Sequence, residues 1–179
     1  MKKLLTISIL LIYSINHFGQ TPDSIKMNSL IVYGDDFTFM VKEPDNWIGD
    51  IDNASKYYSN IIFYKSLEDL NSGGTLIQVL VFKKHDENTI EDLKYDVNSN
   101  KEKYKNLEEK ELIVKHENFK CFSKLVYKEN NFYQYISYIN PGEKFKNGLS
   151  VSMNISKREA TEKELQAYKS IIESLWFIK

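Results

Sequence analysis

Residues 119–178 read FKCFSKLVYKENNFYQYISYINPGEKFKNGLSVSMNISKREATEKELQAYKSIIESLWFI and contain the clearest helix signal of the chain. Thr161 and Glu164 have the spacing of a capping box, in which each side chain bonds the backbone N–H of the other residue. A helix is therefore predicted to begin near Thr161. Large apolar side chains then recur at steps of three and four, which predicts one buried face: Leu165, Tyr168, Ile171, Ile172 and Leu175.

Three strand-like runs precede this helix, at residues 119–127, 132–139 and 149–155. They alternate apolar and polar residues or are rich in aromatic and β-branched ones, as strands are. Residues 129–131 and 140–142 between them favour tight turns. Consecutive strands joined by tight turns are antiparallel, so this half is predicted to be a meander that the closing helix covers.

The first half of the chain contains a second group of predicted elements. Residues 37–41 alternate as a half-buried strand does, and residues 61–64 form a second apolar run. Residues 75–82 are apolar in both alternating sets, which is typical of a central strand covered on both faces. A helix is predicted from Asn88 or Thr89, and the charged run 101–111 is interpreted as a solvated helix end and loop.

The first twenty residues have the pattern of a signal peptide. Lys2 and Lys3 form a positive start, and residues 4–15 form a short apolar run. We therefore expect an exported protein, periplasmic or secreted, without a stable membrane span after cleavage. Residues 21–35 are interpreted as a lead-in segment, and residues 36–179 as one domain of ordinary size.

Charge and cysteine content exclude several classes of protein. The chain has 24 basic side chains, so removing Lys2 and Lys3 leaves 22 against 25 acidic ones, a formal charge of −3. A dedicated nucleic-acid binder needs a concentrated positive field, which this balance does not supply. Cys121 is the single cysteine, so an intramolecular disulfide is excluded. We expect a monomer that holds together through its core.

The order of elements resembles the PsbP-like superfamily. The resemblance is carried by Pro44-x-x-Trp47 after a strand, by the central apolar strand, helix and meander, and by a final helix with the pattern Tyr168-x-x-Ile171-Ile172-x-Ser174-Leu175-x-Phe177. It implies an α+β fold, an α/β/α sandwich around a mostly antiparallel sheet with a closing C-terminal helix. It also implies binding or assembly in place of catalysis, with no shared catalytic residues and no cofactor.

A cluster near the first long helix is a candidate site for a divalent cation. His85, Asp86 and Glu87 offer imidazole and carboxylate ligands, and Glu91 and Asp92 follow in the first turn. The alternative is structural: Glu91 and Asp92 complement the positive end of the helix dipole, and His85 and Asp86 occupy a polar loop.

Cys121 and His116 are close enough in sequence to form a nucleophile and base. The alternative is that Cys121 lies on the apolar face of its strand and acts as a small hydrophobic residue. A hydrolase using His85, His116 or Cys121, or a metal-binding protein, is therefore the second functional hypothesis. The chain lacks the motifs G-x-S-x-G, H-E-x-x-H and C-x-x-C.

Tyrosines supply the candidate binding surface. Tyr133 and Tyr135 share one strand face, and together with Trp47 they are the predicted contacts for a protein partner or small ligand. The alternative is ordinary sheet composition, since aromatic residues favour strands. If a helix leaves that face uncovered, the two tyrosines are exposed. The leading hypothesis is thus an exported, non-enzymatic binding or assembly protein.

Overall fold

The computed structural model describes residues 29–85 and 87–178, and two antiparallel sheets run through this part of the chain. The predicted signal peptide, residues 1–20, and Asp86 lie outside the described residues. The strands are β1 (Ser29–Tyr33), β2 (Thr38–Lys42), β3 (Ile48–Asp50), β4 (Ile61–Tyr64), β5 (Leu76–Lys83), β6 (Glu108–Glu111), β7 (Lys120–Lys128), β8 (Phe132–Asn140), β9 (Asn147–Ser156) and β10 (Trp176–Phe177). The helices are α1 (Leu67–Asn71), α2 (Thr89–Lys103) and α3 (Glu162–Ser174).

The large sheet has the strand order β3-β4-β5-β9-β8-β7-β6. Strands β7, β8 and β9 form the predicted meander, and each pairs with the next along its length. Strand β5 lies in the sheet interior between β4 and β9, as its apolar sequence predicts. Its two faces are not equally covered, however: Ile77 and Val79 are fully buried, whereas Leu80 on the other face is 39 % exposed.

Helices cover the two faces of the large sheet, which confirms the predicted α/β/α arrangement. Tyr168, Ile171 and Ile172 of α3 join the main core with the side chains of one face. Leu93 and Val97 of α2 pack on the opposite face with a smaller apolar cluster. Fully burying each large apolar side chain contributes about 1.5–3 kcal/mol, so these contacts hold helices that are marginal alone.

The capping box at the start of α3 is formed as predicted. The Thr161 side chain accepts a hydrogen bond from the Glu164 N–H, and a Glu164 carboxylate oxygen accepts one from the Thr161 N–H at 2.9 Å. Glu164 is fully buried and also accepts hydrogen bonds from Arg158 and Thr75. The local signal is thus built into a tertiary network.

A small sheet packs on the same side as α3 and has the order β1-β2-β10. Strand β1 lies inside the segment interpreted as a lead-in, and it pairs with β2 over its whole length. Val32, Phe39 and Phe177 form a row that points into the main core. The charged run 101–111 likewise contributes a strand, β6, where a loop was expected, because it forms the edge of the large sheet beside β7. Across residues 29–85 and 87–178, no helix is long and apolar enough to cross a membrane.

Candidate functional site

The predicted tyrosine surface is buried. Tyr133 and Tyr135 lie on the face of β8 that joins the main core, and the Tyr135 ring packs against Tyr168 of α3. The Tyr135 hydroxyl accepts a hydrogen bond from the Ala160 N–H at 3.1 Å, and the Tyr133 hydroxyl accepts one from the Asn130 N–H at 3.3 Å. Alternation places both tyrosines on one face, and α3 covers that face, so the condition for their exposure is not met. Their role in binding stays a prediction.

Trp47 is also part of the core. Its side chain is buried beside the main apolar cluster, and the Lys65 ammonium lies 5.6 Å from the centre of its ring. Together with the two buried tyrosines, it offers little surface to a ligand in this structure. Its role in binding stays a prediction.

His85 pairs with a helix carboxylate. Its Nδ1 lies 2.5 Å from Asp92 Oδ1, while the imidazole itself is largely exposed. Among the described residues, the second oxygen of Asp92 is buried without a hydrogen-bond partner, so the contact with His85 satisfies only one oxygen of this carboxylate. The Glu87 carbonyl oxygen accepts a hydrogen bond from the Asn140 side chain at 2.6 Å. In the part of the chain that the structure describes, no three His, Cys, Asp or Glu residues are grouped to hold a metal, which gives the metal hypothesis no support.

His116 and Cys121 serve different neighbours. His116 Nε2 lies 2.8 Å from the Leu175 carbonyl oxygen, and its Nδ1 accepts hydrogen bonds from the N–H groups of Asn118 and Phe119. Cys121 contacts Ser123 at 3.5 Å, and burial raises the pKa of its thiol. A raised thiol pKa disfavours the thiolate nucleophile. Neither His85 nor His116 bonds the sulfur. The hydrolase hypothesis is thus not supported.

Replacing His116 with alanine is expected to lower the free energy of unfolding by about 1–2 kcal/mol, because three backbone groups lose their partner. Chemical denaturation of the variant beside the unaltered chain measures this. Lys115→Ala, an exposed neighbouring change, is the control and should have almost no effect. Equal stability of the two variants would contradict this structural role.

The solvent side of the small sheet carries exposed apolar side chains that the sequence pattern does not identify. Register places Ile31, Met40 and Trp176 in one row across β1, β2 and β10. Tyr33 pairs with Thr38, and the Ile178 N–H donates to the Thr38 carbonyl oxygen at 2.8 Å, which adds a second row. Tyr33 is 73 % exposed, Ile178 51 % and Trp176 47 %. We call the side chains of Ile31, Tyr33, Met40, Trp176 and Ile178 the outer face.

An aromatic stack extends the outer face beyond the small sheet. Phe119 lies 6.0 Å from Trp176, centre to centre, and His116 stacks on Phe119 at 4.5 Å. The hydrogen bond of His116 to Leu175 anchors this stack to the chain just before β10. One sequence signal could have identified the outer face: because Phe39 and Val41 alternate with Met40, Met40 lies on the opposite side of β2.

A groove of about 680 Å³ lies between α2 and the first half of β7. We call it the α2 groove. Its apolar lining includes Leu93, Val97, Phe122 and the side chain of Ile113, which is 77 % exposed. Lysine and glutamate side chains surround this lining: Lys94, Lys101, Lys115, Lys124, Glu109 and Glu111. Most of these charges are already paired, for example Lys124 with Glu111 at 2.6 Å.

Comparison with known proteins finds similarity in structure. No protein-family model matches the chain, and no curated protein matches it. A search of solved structures finds similarity to the solution structure of cyanobacterial PsbP (CyanoP) from Synechocystis sp. PCC 6803. The two chains share 12 % identity and superpose with a TM-score of 0.49, and the match covers 87 % of this chain and 96 % of that one.

Proposed function

We propose that this chain is an exported, non-enzymatic accessory protein that binds a protein partner through the outer face. The observation that carries the proposal is the row of Ile31, Met40 and Trp176, with Tyr33 and Ile178 beside it, turned to solvent on a paired sheet. Contiguous apolar patches of this kind mark interaction sites on soluble proteins.

The residue types of the outer face favour a protein partner. Tyr, Trp and Met are enriched at protein–protein interfaces, where a large ring excludes water and its polar tip still finds a hydrogen bond. The strands hold these side chains in place through ladder hydrogen bonds, and the inward row of the same sheet is buried in the main core. Binding therefore needs little ordering of the surface, which lowers its entropic cost.

A further observation favours this function over catalysis. The candidate catalytic groups His85, His116 and Cys121 each bond separate structural partners. Export is proposed from the signal-peptide pattern of residues 1–20. A binding protein outside the cytoplasm accounts for both features.

The test uses the tagged full chain, recovered from its own cells after chemical cross-linking. Trp176→Lys together with Ile178→Lys places two charges on the outer face at exposed positions, and we expect the cross-linked partner to be lost. Ile113→Lys is the control, since it adds a charge to an aliphatic position in the α2 groove that is even more exposed, at 77 %.

The two variants separate the two surfaces. Loss with the double variant and retention with Ile113→Lys supports the outer face. The reverse result would assign binding to the α2 groove and overturn the proposal. A cross-linked partner, other than a second copy of this chain, that survives both changes would do the same. Circular dichroism of each purified variant checks that the fold is kept.

A further inference from the structure

Strand β1 is an unprotected sheet edge. It pairs with β2 on one side, and in the described part of the chain nothing pairs with its other side. Its sequence, Ser-Leu-Ile-Val-Tyr, contains no charge, proline or glycine. Edge strands normally carry such residues because an open ladder of N–H and C=O groups recruits another strand.

The large sheet has protected edges. Strand β6 consists of Glu108, Glu109, Lys110 and Glu111, all exposed. Strand β3 at the opposite edge has three residues and ends in Asp50. The other edge of the small sheet, β10, has only two residues. Among the described strands, β1 is therefore the edge best suited to pair with a further strand.

The direction of the free backbone groups follows from the register. The Gly34 N–H donates to the Phe37 carbonyl oxygen at 2.9 Å, so these two residues form a hydrogen-bonded pair next to β1. Hydrogen-bonded and non-hydrogen-bonded pairs alternate along an antiparallel ladder. Leu30 and Val32 therefore direct their backbone groups to β2, and Ser29, Ile31 and Tyr33 direct theirs outward.

We propose that β1 pairs with β1 of a second copy of this chain, antiparallel, with Ile31 opposite Ile31 of that copy. This register places Ser29 opposite Tyr33 at both ends, so every outward N–H and C=O of the strand finds a partner. The contact is self-complementary, as a two-fold symmetric dimer requires. Other registers leave some of these groups unpaired.

Charge at the strand ends matches this orientation. Lys42 pairs with Ser29 at the start of β1, while Asp35 and Asp36 follow Tyr33 at its other end. Antiparallel pairing brings the Lys42 end of each copy towards the Asp35 and Asp36 end of the other. Opposite charges near an interface favour the encounter and its register.

The consequence is a continuous six-stranded sheet made from two small sheets. Side chains of opposed residues lie on the same side of a sheet, so Ile31 and Tyr33 of both copies join one apolar surface. The dimer would present the outer face twice, side by side. The proposed dimer differs from the monomer expected from the sequence.

The first experiment places a cysteine at the predicted two-fold axis. Cα atoms of a hydrogen-bonded pair are about 5.5 Å apart, which a disulfide can span. In a Cys121→Ala background of the full chain, Ile31→Cys should cross-link to a dimer under mild oxidation. Ile113→Cys, at an exposed position away from β1, should stay monomeric on the same gel.

The second experiment uses sedimentation of the full chain over a concentration series. The unaltered chain should reach the mass of a dimer, and Ile31→Lys should halve that mass while its circular dichroism spectrum stays that of the folded chain. A monomer at every concentration, or a dimer that Ile31→Lys leaves intact, would overturn the proposal. The partner test with Trp176 and Ile178 concerns β10 on the far side of β2, so either proposal can fail without the other.

Discussion

Replacing Glu164 with alanine is expected to lower the free energy of unfolding by about 3 kcal/mol at neutral pH. The carboxylate accepts hydrogen bonds from both terminal nitrogens of Arg158 at 2.8 Å and from Thr75 at 2.7 Å. It also caps α3 through Thr161 and pairs with Lys65 at 3.3 Å. Fully buried ion pairs cost about 3–5 kcal/mol to break, and the value here lies at the lower end because Arg158 and Lys65 are partly exposed.

The same network makes stability depend on pH in a defined direction. Burial alone would raise the pKa of Glu164, but the hydrogen bonds from Arg158, Thr75 and Thr161 outweigh it and hold the pKa well below its usual range. The folded state thus binds this proton less tightly than the unfolded state. The stabilisation is fully present above the ordinary pKa of 4.5 and is lost as the pH falls below it towards the folded pKa.

Chemical denaturation at neutral and acid pH measures both effects. The unaltered chain should lose stability below the ordinary glutamate pKa, and Glu164→Ala should lose less over the same interval. Glu162→Gln, an exposed change in the same helical turn, is the control and should keep the original pH dependence. An unchanged pH dependence in Glu164→Ala would contradict the assignment.

Replacing Tyr168 with alanine is expected to cost about 3–5 kcal/mol of unfolding free energy, the range for removing a large aromatic side chain from a packed core. Tyr168 is fully buried between α3 and the large sheet, where its ring packs against Tyr135. Its hydroxyl lies 2.8 Å from Ser137 Oγ and 3.0 Å from the Val151 carbonyl oxygen. Burial raises the pKa of Tyr168 well above its ordinary value, so the hydroxyl stays neutral.

Tyr168→Phe separates packing from hydrogen bonding. It keeps the ring and removes the hydroxyl, so about 1–3 kcal/mol should be lost for the unsatisfied groups around Ser137. Ser137 also bonds Ser123 at 2.6 Å, so part of the network can rearrange. Tyr95→Ala, on the exposed side of α2, is the control. If Tyr168→Ala lost as little unfolding free energy as Tyr95→Ala, Tyr168 would not hold α3 to the sheet.

The elements predicted well are those whose signals are local. The capping box at Thr161 and Glu164 identifies the start of α3, and the turn residues 129–131 separate the β7–β8 pair. In both places the residues that give the signal are those that make the contact. The fold class follows from the order of such elements.

The burial of Tyr133 and Tyr135 could not be predicted from the sequence pattern, for a physical reason. A period of two tells which residues share a face of β8, and it correctly separates Tyr133 and Tyr135 from Ile136 and Tyr138. It does not tell which face a distant helix covers when both are rich in aromatic residues. Each face turned out to have a helix, and the exposed aromatic surface lies on the small sheet instead.

The sequence by itself determined the antiparallel meander, the closing helix and the capping glutamate, because each depends on residues that neighbour one another along the chain. The tertiary structure alone decided the outer face and the open edge of β1. Those features exist because Trp176 pairs with Met40 across a long separation in sequence, while Ile31 pairs with Met40 through a short hairpin. A short apolar run carries no record of its pairing partner, and the partner decides which of its side chains and backbone groups meet water.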